Sequence, residues 1–329
     1  MEHNEPTLIG QPQVSFESTW LGIIRKSGKK IGWIAFGIVC FTWFTITKLP
    51  EDRLGNYIQG QLNSSLSQIG MSINPKESGM SVGLGITYWM KDVAVLMSSS
   101  PKPITLDRIE ISPSLMWMFA GKLGAGFYLK QSEGTVRGKF SIPLSFGTKT
   151  STPTKLALDL NIDKLNLSKL GALEIFAGLK AGGMLGGSLS IAGDFSRPET
   201  VNGNADLHLD QFNLDPQTFM GFSIPNVKVQ KTVMNLSADS GKIKLQNLKL
   251  GQAGSPDDVI GNVTGEAILN RNVTQSNLNF KTRFSLAPSI LKAFIILDSI
   301  LQSGKQPDGS YSYKITGPFA TPLWQPAPP

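Results

Sequence analysis

Apolar and polar side chains alternate with period two along most of the chain after residue 70. That spacing belongs to strands with one covered face. Residues 155–163 put Leu156, Leu158, Leu160 and Ile162 on one side, against Ala157, Asp159, Asn161 and Asp163 on the other. Residues 204–210 do the same with Ala205, Leu207 and Leu209. Residues 242–250 start with Ile243 and Leu245, then change phase through Gln246 and Asn247 to Leu248 and Leu250. Residues 277–286 align Leu278, Phe280, Phe284 and Leu286. The same pattern predicts strands over 81–90, 92–97, 104–111, 125–131, 134–146, 187–195, 227–237, 259–269 and 311–317. Turn pairs such as Ser240-Gly241 and Asp308-Gly309 join the strands in chain order, which predicts antiparallel meanders. Each apolar face then needs a cover: a second layer, a helix or a ligand.

Helical spacing interrupts the strands in few places. Leu54, Ile58, Leu62, Leu66 and Ile69 recur every three or four residues, which predicts an amphipathic helix over 54–69. Shorter helices are expected over 113–120, 168–180 and 288–302. The last is rich in Ile, Leu and Phe but carries Lys292 and Asp298, so it suits an end cap better than a membrane span. The Gly-rich stretch 178–187 lacks the Gly-Lys-Ser/Thr ending of a phosphate loop and reads as a helix stop followed by a strand.

The N-terminal region follows a different rule. Residues 31–47 run without a charge, and a helix of that length spans about 26 Å. Arg25, Lys26, Lys29 and Lys30 precede the run, so the N-terminus is expected in the cytoplasm and the main domain beyond the membrane. No small-x-small cleavage site follows, which favours a retained anchor over a signal peptide. The expected organisation is a tail over 1–30, a transmembrane helix over 31–49, an amphipathic helix or linker over 50–70, and a β-rich domain over 71–325. With one cysteine, Cys40, the chain has no internal disulfide, and a periplasmic domain on a bacterial inner membrane fits best.

Two segments share one order of elements. Residues 156–198 and 278–322 each contain a strand, a short apolar helix, a Gly-rich stop and a second strand. Each closes on G-x-F-x-x-P: Gly193, Phe195 and Pro198 in the first copy, Gly317, Phe319 and Pro322 in the second. Leu189 and Ile191 match Tyr313 and Ile315. The expected geometry is a Gly-permitted bend, a Phe over the sheet end and a Pro that stops the ladder.

Composition narrows the chemistry. Charged residues are 17% of the chain and the net charge of +7 is spread out, so no nucleic-acid patch is expected. Gly79-Met80-Ser81-Val82-Gly83 matches the nucleophile-elbow pattern, but strand-like residues follow Ser81 where a helix is required. Of the two histidines, only His208 lies beyond the apolar run. Asp206, His208 and Asp210 point one way at alternate positions, which suits either a divalent metal or, more commonly, a solvated face. Asp257-Asp258 after Pro256 reads as a turn. The expectation is a protein that is not an enzyme and holds no cofactor or metal.

The anchor, the stretch from Pro103 to Leu115 (PITLDRIEISPSL) and the ending from Asp308 to Pro322 (DGSYSYKITGPFATP) resemble the type II secretion system protein N family, also called general secretion pathway protein N. They are also similar to the wider AsmA-like group of bridge-type lipid-transfer proteins. The resemblance spans roughly residues 30–325 and implies a mainly β fold: a long, curved, trough-like antiparallel sheet with a few short covering helices behind one transmembrane helix. It implies a non-enzymatic accessory role in type II secretion, with an apolar groove for lipid or an apolar segment. The groove would be lined by Leu156, Leu158, Leu160, Ile162, Leu189, Ile191, Leu207, Leu209, Leu278, Phe280, Phe284, Tyr313 and Ile315. The expected partners are the membrane, phospholipid or a lipopolysaccharide-type lipid, type II secretion subunits and a further copy of the chain. The alternatives are general envelope lipid transfer, or a scaffold that adds strands of secretion subunits to its sheet edges.

Overall fold

The structure is a computed structural model, and it describes residues 36–37, 51–67, 70–82, 85–98, 100–114, 121–143, 156–194, 197–219, 222–293 and 299–327. The expected membrane helix over 31–49 lies outside these residues except for Phe36 and Gly37, which are helical. Among the described residues no helix is long and apolar enough to cross a membrane.

The protein is mainly β, and its β domain begins with α1 (Glu51–Ser67). One antiparallel sheet of 14 strands follows. Its strands are β1 (Met71–Val82), β2 (Ile86–Met97), β3 (Ser100–Pro113), β4 (Lys122–Gln131), β5 (Gly134–Pro143), β6 (Leu156–Asn166), β7 (Ala181–Gly193) and β8 (Asn202–Leu214). After a two-stranded hairpin of β9 (Gln217–Phe219) and β10 (Phe222–Ile224) come β11 (Val227–Asp239), β12 (Lys242–Leu250), β13 (Val259–Ile268), β14 (Asn277–Leu286), β15 (Tyr311–Pro318) and β16 (Leu323–Pro326). Each strand of the large sheet pairs with the next in chain order, β9 and β10 standing aside, so the topology is a meander. Short helices fill two connections: α2 (Leu167–Leu170) and α3 (Ala172–Ala177) between β6 and β7, and α4 (Pro288–Ala293) before β15.

Several expectations need correction. The strand predicted over 81–90 belongs to two strands, because Val82 closes β1 and Ile86, paired with it, opens β2. The helix predicted from residue 113 does not begin there: Pro113 ends β3, and residues 115–120 lie outside the described set. The helix predicted over 168–180 is two short ones, broken at Gly171, whose φ of 62° ends α2 in a left-handed cap. The strand over 71–82 escaped prediction because Pro75, Lys76 and Glu77 interrupt its alternation. The Ser240-Gly241 turn is present, with φ of 51° and 79°.

Bulges keep the apolar side chains on one face. Asp92, Lys164 and Gln211 take positive φ inside β2, β6 and β8. At each one the apolar phase slips by one residue: Met90 to Val93, Ile162 to Leu165, Leu209 to Phe212; the register against β7 shifts at the last two, whereas it runs unshifted through Asp92. A bulge inserts one residue without turning the rest of the strand over.

Both sheet edges are blunted. On β1, the Ile73 backbone N–H donates to Asn63 Oδ1 at 2.7 Å, and its carbonyl accepts from Asn63 Nδ2 at 3.1 Å. A residue of α1 thus occupies the bonds that a further strand would take. On β16, the Ala327 N–H donates to the Ser312 carbonyl at 3.0 Å, so the backbones of Trp324 and Pro326 face outward. Proline has no N–H to offer there.

The densest packing lies at the N-terminal end of the sheet. Met80, Tyr88, Met90, Val93, Val95, Ile104 and Ile109 are buried, and Ile58, Leu62, Leu170 and Ile175 pack against them. The Tyr88 hydroxyl has no hydrogen-bond partner among the described residues. Tyr88→Phe removes an unsatisfied buried group and is expected to raise stability by about 1 kcal/mol, read from the denaturant midpoint of the full chain.

A second clamp lies in the β12–β13 connection. Buried Asp257 accepts from the backbone N–H of Gln230 at 2.6 Å, that of Gln252 at 2.9 Å, and the Ser255 hydroxyl. Burial pushes its pKa up, but these three donors outweigh it and hold the carboxyl below its ordinary 3.8. Asp257→Ala orphans those donors and is expected to cost about 3 kcal/mol. Because the folded pKa is depressed, this contribution is complete above the unfolded value near 3.8 and is lost as pH falls through the lower folded value. An acid titration of stability should therefore flatten in Asp257→Ala.

Candidate apolar binding face

Register settles which side chains share a face, since directly opposed residues of antiparallel strands point the same way. One row runs Phe140, Leu158, Ile191, Gly203, Ala238, Ile243, Ala267, Leu278, Gly317. The next runs Phe127, Gly138, Leu160, Leu189, Ala205, Leu236, Leu245, Gly265, Phe280, Ile315, Trp324. A third runs Val136, Ile162, Gly187, Leu207, Met234, Leu248, Val263, Thr282, Tyr313. The fourth runs Leu165, Leu185, Leu209, Thr232, Leu250, Gly261, Phe284, Tyr311. Leu156 opposes Gly193 at the start of β6, on the same face. Every residue expected to line the groove therefore lies on one continuous face that carries no charge in these rows.

Burial along that face is uneven. Its N-terminal end is closed by α1, α2 and α3 through the packing described above. Its C-terminal end buries Tyr311 and Tyr313, with Gly304 against the Tyr313 ring and Phe284 stacked on both at 5.6 and 6.4 Å. Between the ends, Leu158, Leu160, Ile162, Leu189, Ile191, Leu207, Leu209, Met234, Leu236 and Leu248 are only half-buried. A notch of about 90 Å³ opens there, walled by Leu189, Ile191, Ala205, Leu236, Ala238 and Ile243.

Gly187 shapes this stretch. Its φ is 129°, and a Cβ on it would overlap the Asp206 carbonyl oxygen and lie 2.8 Å from Leu207 Cα. Only glycine lets β7 approach β8 this closely with that backbone. Glycine kinks and bulges are the means by which sheets bend.

The opposite face is polar. Tyr128, Arg137, Asn161, Ser188, Asp206 and Asn235 form one of its rows. A cleft of about 570 Å³ on that side is lined by Thr135, Arg137, Asn161, Asp163, Ser188 and Asp206. His208 Nε2 lies 3.9 Å from Asp210 Oδ2, while Asp206 Oδ1 accepts from Asn235 Nδ2 at 2.7 Å. The His208 ring sits over Gly186, where a Cβ would be 2.6 Å from its Cε1. Among the described residues no group of three His, Cys, Asp or Glu is placed to hold a metal ion. Ser81 is exposed on β1, opposite Thr87, and the next described element is the strand β2, where the motif requires a helix. His208 is seven strands away along the sheet, about 34 Å at the usual strand spacing, so the two do not meet.

Comparison of the chain with protein-family models, with curated proteins and with solved structures finds no match.

The two related units are both strand–helix–strand, with β6 paired to β7 and β14 paired to β15. Gly193 and Gly317 take φ of 155° and 93°, and Pro198 is buried at the start of a 3-10 turn. The second copy departs from the expected closing motif: Phe319 does not cover the sheet end but is 58% exposed, and Pro322 is exposed as well. Phe195 lies outside the described residues, as do residues 294–298 of the helix expected over 288–302. Sequence reasoning missed Met234 and Leu236 as lining residues, although their alternation over 227–237 was legible; their register with Leu207 and Ala205 was not.

Proposed function

We propose that the protein is a non-enzymatic, inner-membrane-anchored periplasmic accessory protein, and that its apolar sheet face curves into a trough that shields acyl chains or an apolar segment from water. The single observation behind this reading is the middle of that face. It has uncharged, mainly apolar rows, packed at the N-terminal end and around Tyr311 and Tyr313 and half-exposed between. Apolar surface of this extent is stabilised by an occupant: each buried CH₂ contributes about 0.8 kcal/mol, so one acyl chain binds without any polar contact. The bulges and the Gly187 kink favour curvature. The link to type II secretion rests on the resemblance carried by Pro103 to Leu115 and Asp308 to Pro322.

Strand addition to secretion subunits fits less well, because Asn63 and Pro326 blunt the two edges. The test is site-specific photocrosslinking of the full chain in cells. A photoreactive residue at Leu160 or Met234 is expected to yield lipid adducts, and one at Ser190 or Asn204 on the polar face is expected to yield none. Equal labelling of both faces, or protein adducts alone at Leu160 and Met234, would end the lipid-trough reading.

A further inference from the structure

Charge is segregated on the polar face of the sheet. β12, β13, β14 and β15 carry six cations, Lys242, Lys244, Lys249, Lys281, Arg283 and Lys314, against one carboxylate, Glu266. β6, β7 and β8 carry Asp159, Asp163, Asp206 and Asp210 against Lys164 alone. In the basic part Glu266 is taken by Lys242 at 2.9 Å, and Asp308, in the turn before β15, by Arg283 at 2.6 Å. With Asp308 included, cations still outnumber carboxylates six to two. Lys244, Lys249, Lys281 and Lys314 make no ion pair among the described residues. Two of these are directly opposed: Lys281 faces Lys314, and the row continues to Thr264 on one side and Gln325 on the other. Like charges in that position repel, and no carboxylate in the row offsets them.

The adjacent row runs Lys249, Asn262, Arg283, Ser312. Arg283 is fixed: its Nε donates to the Ser310 hydroxyl at 3.0 Å and its Nη2 to Asp308, while Nη1 has no partner among the described residues. A cleft of about 390 Å³ opens beside it, with Lys249, Asn262, Arg283, Ser285 and Ser310 in its lining. Lys249 and Arg283 stand two strands apart, about 10 Å, so both side chains can reach one anion between them. The chemistry of the two rows selects its size. Neither contains an aromatic or apolar side chain between β12 and β16, so a polynucleotide finds nothing to stack on, and a bilayer or a protein finds no apolar anchor. A compact anion rich in oxygens meets ammonium, guanidinium, amide and hydroxyl donors there. The sheet itself lies between these rows and the apolar face, so the anion is a separate solute and not the headgroup of a lipid in the trough.

We propose that Lys249, Lys281, Arg283 and Lys314 form a binding site for a soluble phosphorylated compound, whose phosphate oxygens accept from Lys249 and Arg283 in the cleft and whose charge offsets the repulsion between Lys281 and Lys314. The site uses no side chain assigned to the trough lining and goes beyond the trough reading, so either can fail alone.

The full chain in a neutral detergent is titrated calorimetrically with inorganic pyrophosphate at fixed ionic strength, and saturable binding is expected. Lys249→Gln is expected to weaken it about tenfold, the loss of one hydrogen bond to a charged group. Lys281→Gln is expected to weaken it about as much and, at the same time, to raise the denaturant midpoint of the ligand-free protein, because Lys314 then faces no like charge. Lys139→Gln, on the polar face of β5, is expected to leave binding unchanged. Absence of saturable binding overturns the proposal, and so does an equal loss in Lys139→Gln and Lys249→Gln, which would make the lysines a solvated surface. Competition from phosphatidylglycerol added to the micelles also overturns it, since the cations would then hold lipid headgroups.

Discussion

Gly187→Ala is expected to cost about 3 kcal/mol or more in stability. The residue opposes Leu207 in the middle of the apolar face, at φ of 129°. A methyl group there has no free direction, because it meets the Asp206 carbonyl and the Leu207 backbone, and neither moves without breaking the β7–β8 ladder. The positive φ adds strain for any L side chain. Gly85→Ala is the control: nothing lies within 4 Å of its Cβ position, and the expected change stays within about 0.5 kcal/mol. Denaturant midpoints of the two variants decide the matter. Equal midpoints would mean that β7 relaxes freely and that its kink sets no curvature.

Leu207→Asp is the second large effect, on binding rather than folding. Leu207 is half-buried between Gly187 and Met234, in the open middle of the face. A carboxylate there stays solvated while the face is empty, so its cost to the fold is modest. An acyl chain over it would strip that water, which costs about 2–3 kcal/mol and amounts to about 30- to 100-fold in affinity. The lipid adduct formed from a photoreactive residue at Met234 should fall accordingly, while Asn204→Asp on the polar face leaves it unchanged. A persistent adduct in Leu207→Asp would place the lipid elsewhere.

Much of this architecture is legible in the alternation. The strands over 156–162, 204–209 and 277–286 read directly from their Leu and Phe spacing, and so does the one-sided apolar face they build. β1 hid behind Pro75, Lys76 and Glu77. As an edge strand it tolerates a proline and charges that a central strand would exclude. The hairpin of β9 and β10, and β16, were too short to show a period. Phe319 looked like a covering side chain, because nothing in G-x-F-x-x-P says that the backbone would be bonded to Ser276 with the ring left in solvent.

The mainly β class, the chain-order meander and the partition of each regularly alternating strand into an apolar and a polar side were legible in the residues alone, because these follow from local periodicity and turn chemistry. Long-range pairing decided which residues oppose which. Rows such as Ile162–Gly187–Leu207–Met234 are matched by hydrogen bonds between residues far apart in the chain. The tertiary structure alone decided which part of the face is closed and which stays open, because cover depends on where α1, α2 and α3 pack. It alone showed that Asn63 and Pro326 sit where a further strand would bind, since which way a backbone N–H points in a ladder is a property of the register and not of the residue.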